Sequence, residues 1–200
     1  MGGAVVLLSV PLLALAGSVA TAPAASAANP TFPFDWSIKV STHLKKLDQT
    51  VKVPRGSFTG QVDLVTGDLI GHIKLPPASS TVQMAGLGLV TATFQMNAVK
   101  PVTGHVDFAT LHTTATSVIN IRVLRVSPAG VPAVNLVGDS CRTSKPVTVR
   151  ISGTASLTAP STFRGSYTIP PLEHCGASTL VLNQLVPGPG NTFTATATPK

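Results

Sequence analysis

The chain holds seven acidic residues: Asp35, Asp48, Asp63, Asp68, Asp107, Asp139 and Glu173. General acid–base work on a substrate needs two carboxylates facing each other across it. Position singles out Asp63 and Asp107. Thr59-Gly-Gln-Val-Asp-Leu64 returns as Thr103-Gly-His-Val-Asp-Phe108, with Thr, Gly, Val and Asp in the same places. The simpler reading leaves each carboxylate on the solvent face of its own strand. His105 and Asp107 share one parity, so a strand would turn both to one side as half of a zinc site. The other histidines, His43, His72, His112 and His174, are too scattered to supply the remaining ligands. No Gly-x-Ser-x-Gly elbow accompanies the many serines. The expectation is a non-catalytic chain with no cofactor-binding and no metal-binding residues.

The two cysteines, Cys141 and Cys175, bracket a stretch that runs from Gly138 to Gly176. Between them lie two alternating runs, Val147 to Ser152 and Phe163 to Ile169, around the turn-forming Thr158-Ala-Pro-Ser-Thr162. An antiparallel pair of such runs brings its outer ends together, which favours a Cys141–Cys175 disulfide. A reactive thiol and a metal site are the alternatives. Cys175 stands beside His174, but strand neighbours point to opposite faces, and no Cys-x-x-Cys spacing is present.

Positioning these residues falls to strands. Charged residues make up only 10% of the chain, with 17 Gly and 17 Pro among abundant Thr, Val, Ala and Ser. β-Branched residues fit a pleated surface, and Gly and Pro punctuate it. With 4% aromatic residues, the expected core is Val, Ile and Leu. Residues 28–35 read as an irregular lead, kept extended by Pro30 and Pro33, ahead of a β domain over 36–200. Trp36, Ile38 and Val40 share a parity; Pro54-Arg55-Gly56 reads as a bend. Phe58 to Leu64 and Leu69 to Leu75 alternate around Thr66-Gly67-Asp68 as a hairpin. Val82 to Met96 continues the pattern, with a bulge or tight bend at Gly86 and Gly88. Further strands fit Ala115 to Val126, the two inter-cysteine runs and Asn191 to Thr198. One short helix is expected over 178–186, capped by Ser178 and stopped by Pro187-Gly188. The fold class is all-β: an antiparallel β-sandwich or β-barrel of about 8–10 strands. The hexamer repeat allows two fused β-subdomains.

Residues 1–27 read as a signal peptide. An apolar run from Ala4 to Ala16 precedes Ala25-Ser-Ala27, small residues of the kind a signal peptidase reads, which places the mature start at Ala28. Lys or Arg normally heads such a run; here only the α-amino group is positive. A secreted or cell-wall-associated protein is expected, where a disulfide persists. The net charge of +7 points to an anionic cell-envelope polymer or lipid surface as partner. Nucleic acid is not expected, because one Trp and one Tyr offer little for stacking bases. The other functional expectation is a barrel that carries an apolar, lipid-like ligand. Small inward residues such as Gly71, Gly86, Gly88 and Ala92 would leave it room.

Several segments carry a resemblance. Asp63 to Pro77, Ser140-Cys-Arg-Thr-Ser-Lys-Pro146, Gly165-Ser-Tyr-Thr-Ile-Pro-Pro171, Cys175-Gly176 and Gly188-Pro-Gly-Asn-Thr192 resemble a family of secreted, β-rich actinobacterial proteins. The likeness spans most of the chain after residue 27, and Ser-Cys-Arg-Thr and Thr-Ile-Pro-Pro are its most specific elements. It implies secretion, the disulfide and a β fold, and it supplies no reaction or ligand. The family favours Leu at alternate positions of its last strand, where this chain has Ala195 and Ala197.

Overall fold

Period-two alternation runs the length of β1 (Thr31–Leu44), where Phe34, Trp36, Ile38, Val40 and Thr42 are buried. The computed structural model describes residues 28–84 and 88–200. The expected signal peptide, 1–27, and Gly86 lie outside the described residues. β1 begins five residues before the expected strand, so 31–35 are not an irregular lead. They pair with β2 (Gln49–Asp63) alone, Pro33 opposite Gln61, while the second neighbour of β1 joins only from Trp36. A proline, which lacks an N–H, is tolerated at such a one-sided position.

Eight strands close a ring. In order around it stand β7 (His112–Pro128), β6 (Val102–Val106), β3 (Asp68–Lys74), β2, β1, β12 (Gly188–Pro199), β10 (Ser161–Ile169) and β9 (Val147–Thr154). β9 then pairs back onto β7 from Ile119↔Val147 to His112↔Thr154, and every pairing is antiparallel. The fold is therefore a closed barrel and not a sandwich. Twelve strands are present among the described residues, more than the eight to ten expected. The additional four are β4 (Ala78–Met84), β5 (Gly88–Ala98), β8 (Arg142–Thr143) and β11 (Leu172–Glu173). β5 and β8 pair with the C-terminal part of β7, from Ile119 onward, where the barrel pairing with β9 ends.

The expected bend at Pro54-Arg55-Gly56 is a β-bulge inside a continuous β2: Ile38 faces Gly56 while Val40 faces Val53. A second bulge, where Thr93 faces Arg125 and Phe94 faces Val123, leaves Leu124 as the extra residue of β7. It shifts the parity of that strand, and Val126 is buried in place of Arg125. All the strands belong to one sheet, and the two copies of the hexamer fall in two hairpins, β2–β3 and β6–β7.

The core has two parts. The larger fills the barrel, and the smaller joins Val82, Val90, Val126, Val137, Leu172, Leu182 and the two cysteines. Val, Ile and Leu make up most of the larger part, as expected, and an aromatic cluster joins them. Phe34 packs on Trp36 and Phe58 at centroid distances of 4.9 and 5.0 Å, and Trp36 stacks on Phe163 at 6.4 Å. Helix α1 (Thr179–Leu185) falls where it was expected, after a 3-10 turn over Gly176–Ser178. Ser178 does not cap it; its hydroxyl donates to the Leu136 carbonyl at 2.5 Å. Asn183 fixes the helix to β11 instead, accepting from the Leu172 N–H at 2.6 Å and donating to the Leu172 carbonyl at 2.9 Å.

Candidate functional site in the barrel interior

Inward positions of the barrel wall are small where a full core would place Leu or Ile. Ala195 and Ala197 on β12 and Thr113, Ala115 and Ser117 on β7 face the axis. They surround a cavity of about 70 Å3, completed by Trp36, Ile38, Phe58, Val149, Phe163 and Phe193 among others. Gly71 does not contribute to it: a Cβ there would strike the Phe58 ring, so the space that this glycine frees is taken by that ring. Gly88 also lies away from the interior, with φ +74 at the start of β5.

A second cavity, of about 80 Å3, lies beyond the first. Thr42, Leu44, Val51, Ala92, Ile121, Val123 and Ile169 line it, and Leu182 of α1 and Val186 contribute from the helix side. Met96 of β5 lines both spaces. Three long strands serve both in the same sense. β1 gives Trp36 and Ile38 to the first and Thr42 to the second; β7 gives Ser117 and Ile119, then Ile121; β10 gives Phe163, then Tyr167. The cavities therefore lie end to end along these strands, with Met96 at their junction.

The polar groups on these walls differ in how they are satisfied. Thr42 donates its hydroxyl proton to the Thr192 carbonyl at 2.9 Å, so the 2.5 Å contact between Thr42 and Tyr167 uses the tyrosine proton. Burial pushes the Tyr167 hydroxyl above its ordinary pKa, with the Thr42 hydrogen bond opposing in part. Thr113 donates to the Leu111 carbonyl at 3.2 Å. Ser117 has no partner for its hydroxyl and is only 9% exposed. No charged side chain lines either cavity among the described residues.

The acidic pair weighed from sequence does other work. Asp63 accepts from the N–H groups of Val65 and Thr66 at 2.8 and 2.9 Å; Asp107 accepts from Ala109 and Thr110 at 2.8 and 3.1 Å. Each carboxylate thus holds the turn after its own strand and does not face the other as a catalytic pair. These amides, led by Thr66 for Asp63 and by Thr110 for Asp107, hold both carboxyls below the ordinary value, and Asn29 adds to the effect at Asp63. His105 turns toward Asp68, with Nδ1 3.7 Å from Oδ1. The half-site imagined for zinc is split between these two uses, and no three His, Cys, Asp or Glu converge among the described residues. Elsewhere Asp35 pairs with Lys200 at 2.8 Å, and Glu173 pairs with Arg142 at 3.1 Å.

Cys141 and Cys175 are joined in a disulfide, both fully buried, with their Cα atoms 4.3 Å apart. The β9–β10 hairpin returns the chain as the spacing predicts, Phe163 opposite Gly153. The bond sits outside the barrel, beside the two-residue ladder of β8 and β11. Sequence reasoning passed over Ser117 and Met96. The signal for Ser117 lay in parity: Thr113, Ala115, Ser117, Ile119 and Ile121 form one alternate set in β7, interrupted in appearance by Val118 on the other face. No family model, curated protein or solved structure matches this chain.

Proposed function

We propose that this protein is an exported, non-catalytic carrier that holds one neutral apolar ligand inside its barrel. The observation that carries the reading is the first cavity. An eight-stranded barrel stands at the size where side chains either fill the interior or leave room for a small ligand. Here alanines and hydroxyl residues stand on the wall, and the space between them is apolar and uncharged. Such cavities stay dry and accept apolar guests. The buried disulfide supports an oxidising compartment, as do the signal-like residues 1–27 and the likeness to secreted actinobacterial proteins.

Xenon, which has no polar atom and suits a small apolar cavity, is the test. Added to protein with 13C-labelled methyl groups, it should shift the Ala115, Ala195 and Ala197 signals saturably. Ala195→Leu, which fills the space, should abolish the shifts while circular dichroism stays unchanged. Methyl signals that ignore xenon at saturation would overturn the carrier reading.

A second reading, adhesion to anionic envelope polymer or lipid, is favoured by the outer wall. Arg150 and Arg164 stand on β9 and β10 with Lys145 nearby, among outward threonines and serines. None of the three has a carboxylate within ion-pair distance among the described residues. The two readings are compatible, one using the inside of the wall and the other the outside.

A further inference from the structure

We infer that the two cavities are halves of one site, which takes a single elongated, uncharged chain bearing one hydrogen-bond acceptor oxygen, such as a ketone or ester, bound to Ser117. This rests on the carrier reading and adds the ligand's shape and its polar atom.

The shape follows from Met96. It is the side chain shared by both walls, and its unbranched thioether swings between rotamers at little cost. Ser117 and Ile121 are about 13 Å apart along β7 at the usual strand rise, the first on the barrel cavity and the second beyond Met96. The cavities, at about 70 and 80 Å3, each have room for on the order of two to three water-sized groups. A chain of about ten carbon atoms has the length to span both, and it enters as Met96 swings aside and adds its volume to theirs.

The polar atom follows from Ser117. Its hydroxyl is the buried side-chain group without a partner among the described residues, and it stands on the wall of an otherwise apolar space. An unmet buried hydroxyl destabilises a fold by itself; an acceptor oxygen on the ligand would satisfy it. The other buried hydroxyls are spent, Thr113 on a carbonyl and Tyr167 on Thr42. Ser80, on the second wall, is half-buried and leaves no comparable vacancy. A carboxylate or ammonium headgroup would meet no opposite charge on either wall, which excludes free fatty acids lying wholly inside.

The probes are 2-undecanone and undecane, equal in length and differing in one carbonyl. The ketone should bind one per chain and shift methyl signals of Ala195 and Leu182 together, since one molecule touches both ends. Ser117→Ala should weaken the ketone about tenfold and leave undecane unchanged. The same substitution should raise the melting temperature of the empty protein by a few degrees, because it removes the unmet hydroxyl. Two ketone molecules per chain, or equal effects of Ser117→Ala on ketone and alkane, would overturn the inference while leaving a carrier of separate small guests. Failure of both probes and of xenon to shift any methyl would remove the carrier reading as well. Met96→Phe provides an independent check: a folded variant should confine the shifts to the barrel alanines, and shifts still reaching Leu182 would count against passage at Met96.

Discussion

At the level of single residues, the repeat shows how one local device was built twice with different parts. In both hairpins an aspartate accepts from the turn amides, and a threonine three positions later accepts from the amide two residues on, Asp68 to Thr66 and His112 to Thr110, each at 3.2 Å. The likeness therefore extends past the hexamer visible in sequence. Both turns also need a left-handed residue at the same place. Gly67 supplies it with φ 79, but Leu111 is forced into it with φ 56. An L-residue there is strained by about 1–2 kcal/mol. Leu111 is 40% exposed, so its side chain contributes little packing. Leu111→Gly should stabilise the protein by about 0.5–1 kcal/mol after the entropy of the unfolded glycine is counted. Urea unfolding measures this, with Leu111→Ala as control: it keeps the strained backbone and should give no gain. The role of Asp63 and Asp107 was half legible. Their equivalence could be read from spacing, but turn-holding became visible only once the amides that they accept from were placed.

At the level of elements, strands were legible wherever alternation was unbroken, as in β1, β9 and β10. It was obscured where a bulge slipped the parity, at Leu124 in β7 and at Pro54-Arg55 in β2. A bulge adds one residue to one strand, and its partner, which reveals it, lies far away in sequence. The small ladder of β8 and β11 illustrates a different dependence. It has only two residue pairs, with Arg142 and Glu173 opposite each other, and it holds α1 through Asn183. Two pairs are too few to persist alone. The disulfide closes a loop of sequence separation 34 beside them, a constraint of roughly 3–4 kcal/mol. Replacing both cysteines by Ala should lower stability by that order. Hydrogen exchange should quicken first in β8, β11 and α1, with β1 and β12 still protected. Uniform loss across the barrel would show that the bond supports the whole wall instead.

At the level of the whole molecule, closure was the illegible part. Whether eight strands form a sandwich or a ring depends on β9 meeting β7 and β1 meeting β12, pairings that no local pattern encodes. The surface charge was legible in amount but not in placement. Arg122 and Arg125 are occupied by the carbonyls of Asp139 and Pro132, and Lys46 by that of Gln184, whereas Arg150 and Arg164 remain on the outer wall. Adhesion through that wall should be salt-sensitive, since exposed charges are screened within about 8 Å at physiological ionic strength. Co-sedimentation with anionic vesicles or cell walls should fall as salt rises, and Arg150→Ser with Arg164→Ser should reduce it at low salt. Retention that ignores both salt and the paired substitution would rule this wall out as the adhesive surface.

The seam between β1 and β12 sets a timetable. Trp36 lies opposite Pro199, so β1 finds its second neighbour only after every other described strand has been made. Until then the wall is open, and the N-terminal strands expose a backbone edge and their apolar faces. Closure across nearly the full chain makes for slow folding. Under the proposed export, that delay leaves the polypeptide threadable until β12 has been made, and the ring is sealed only then.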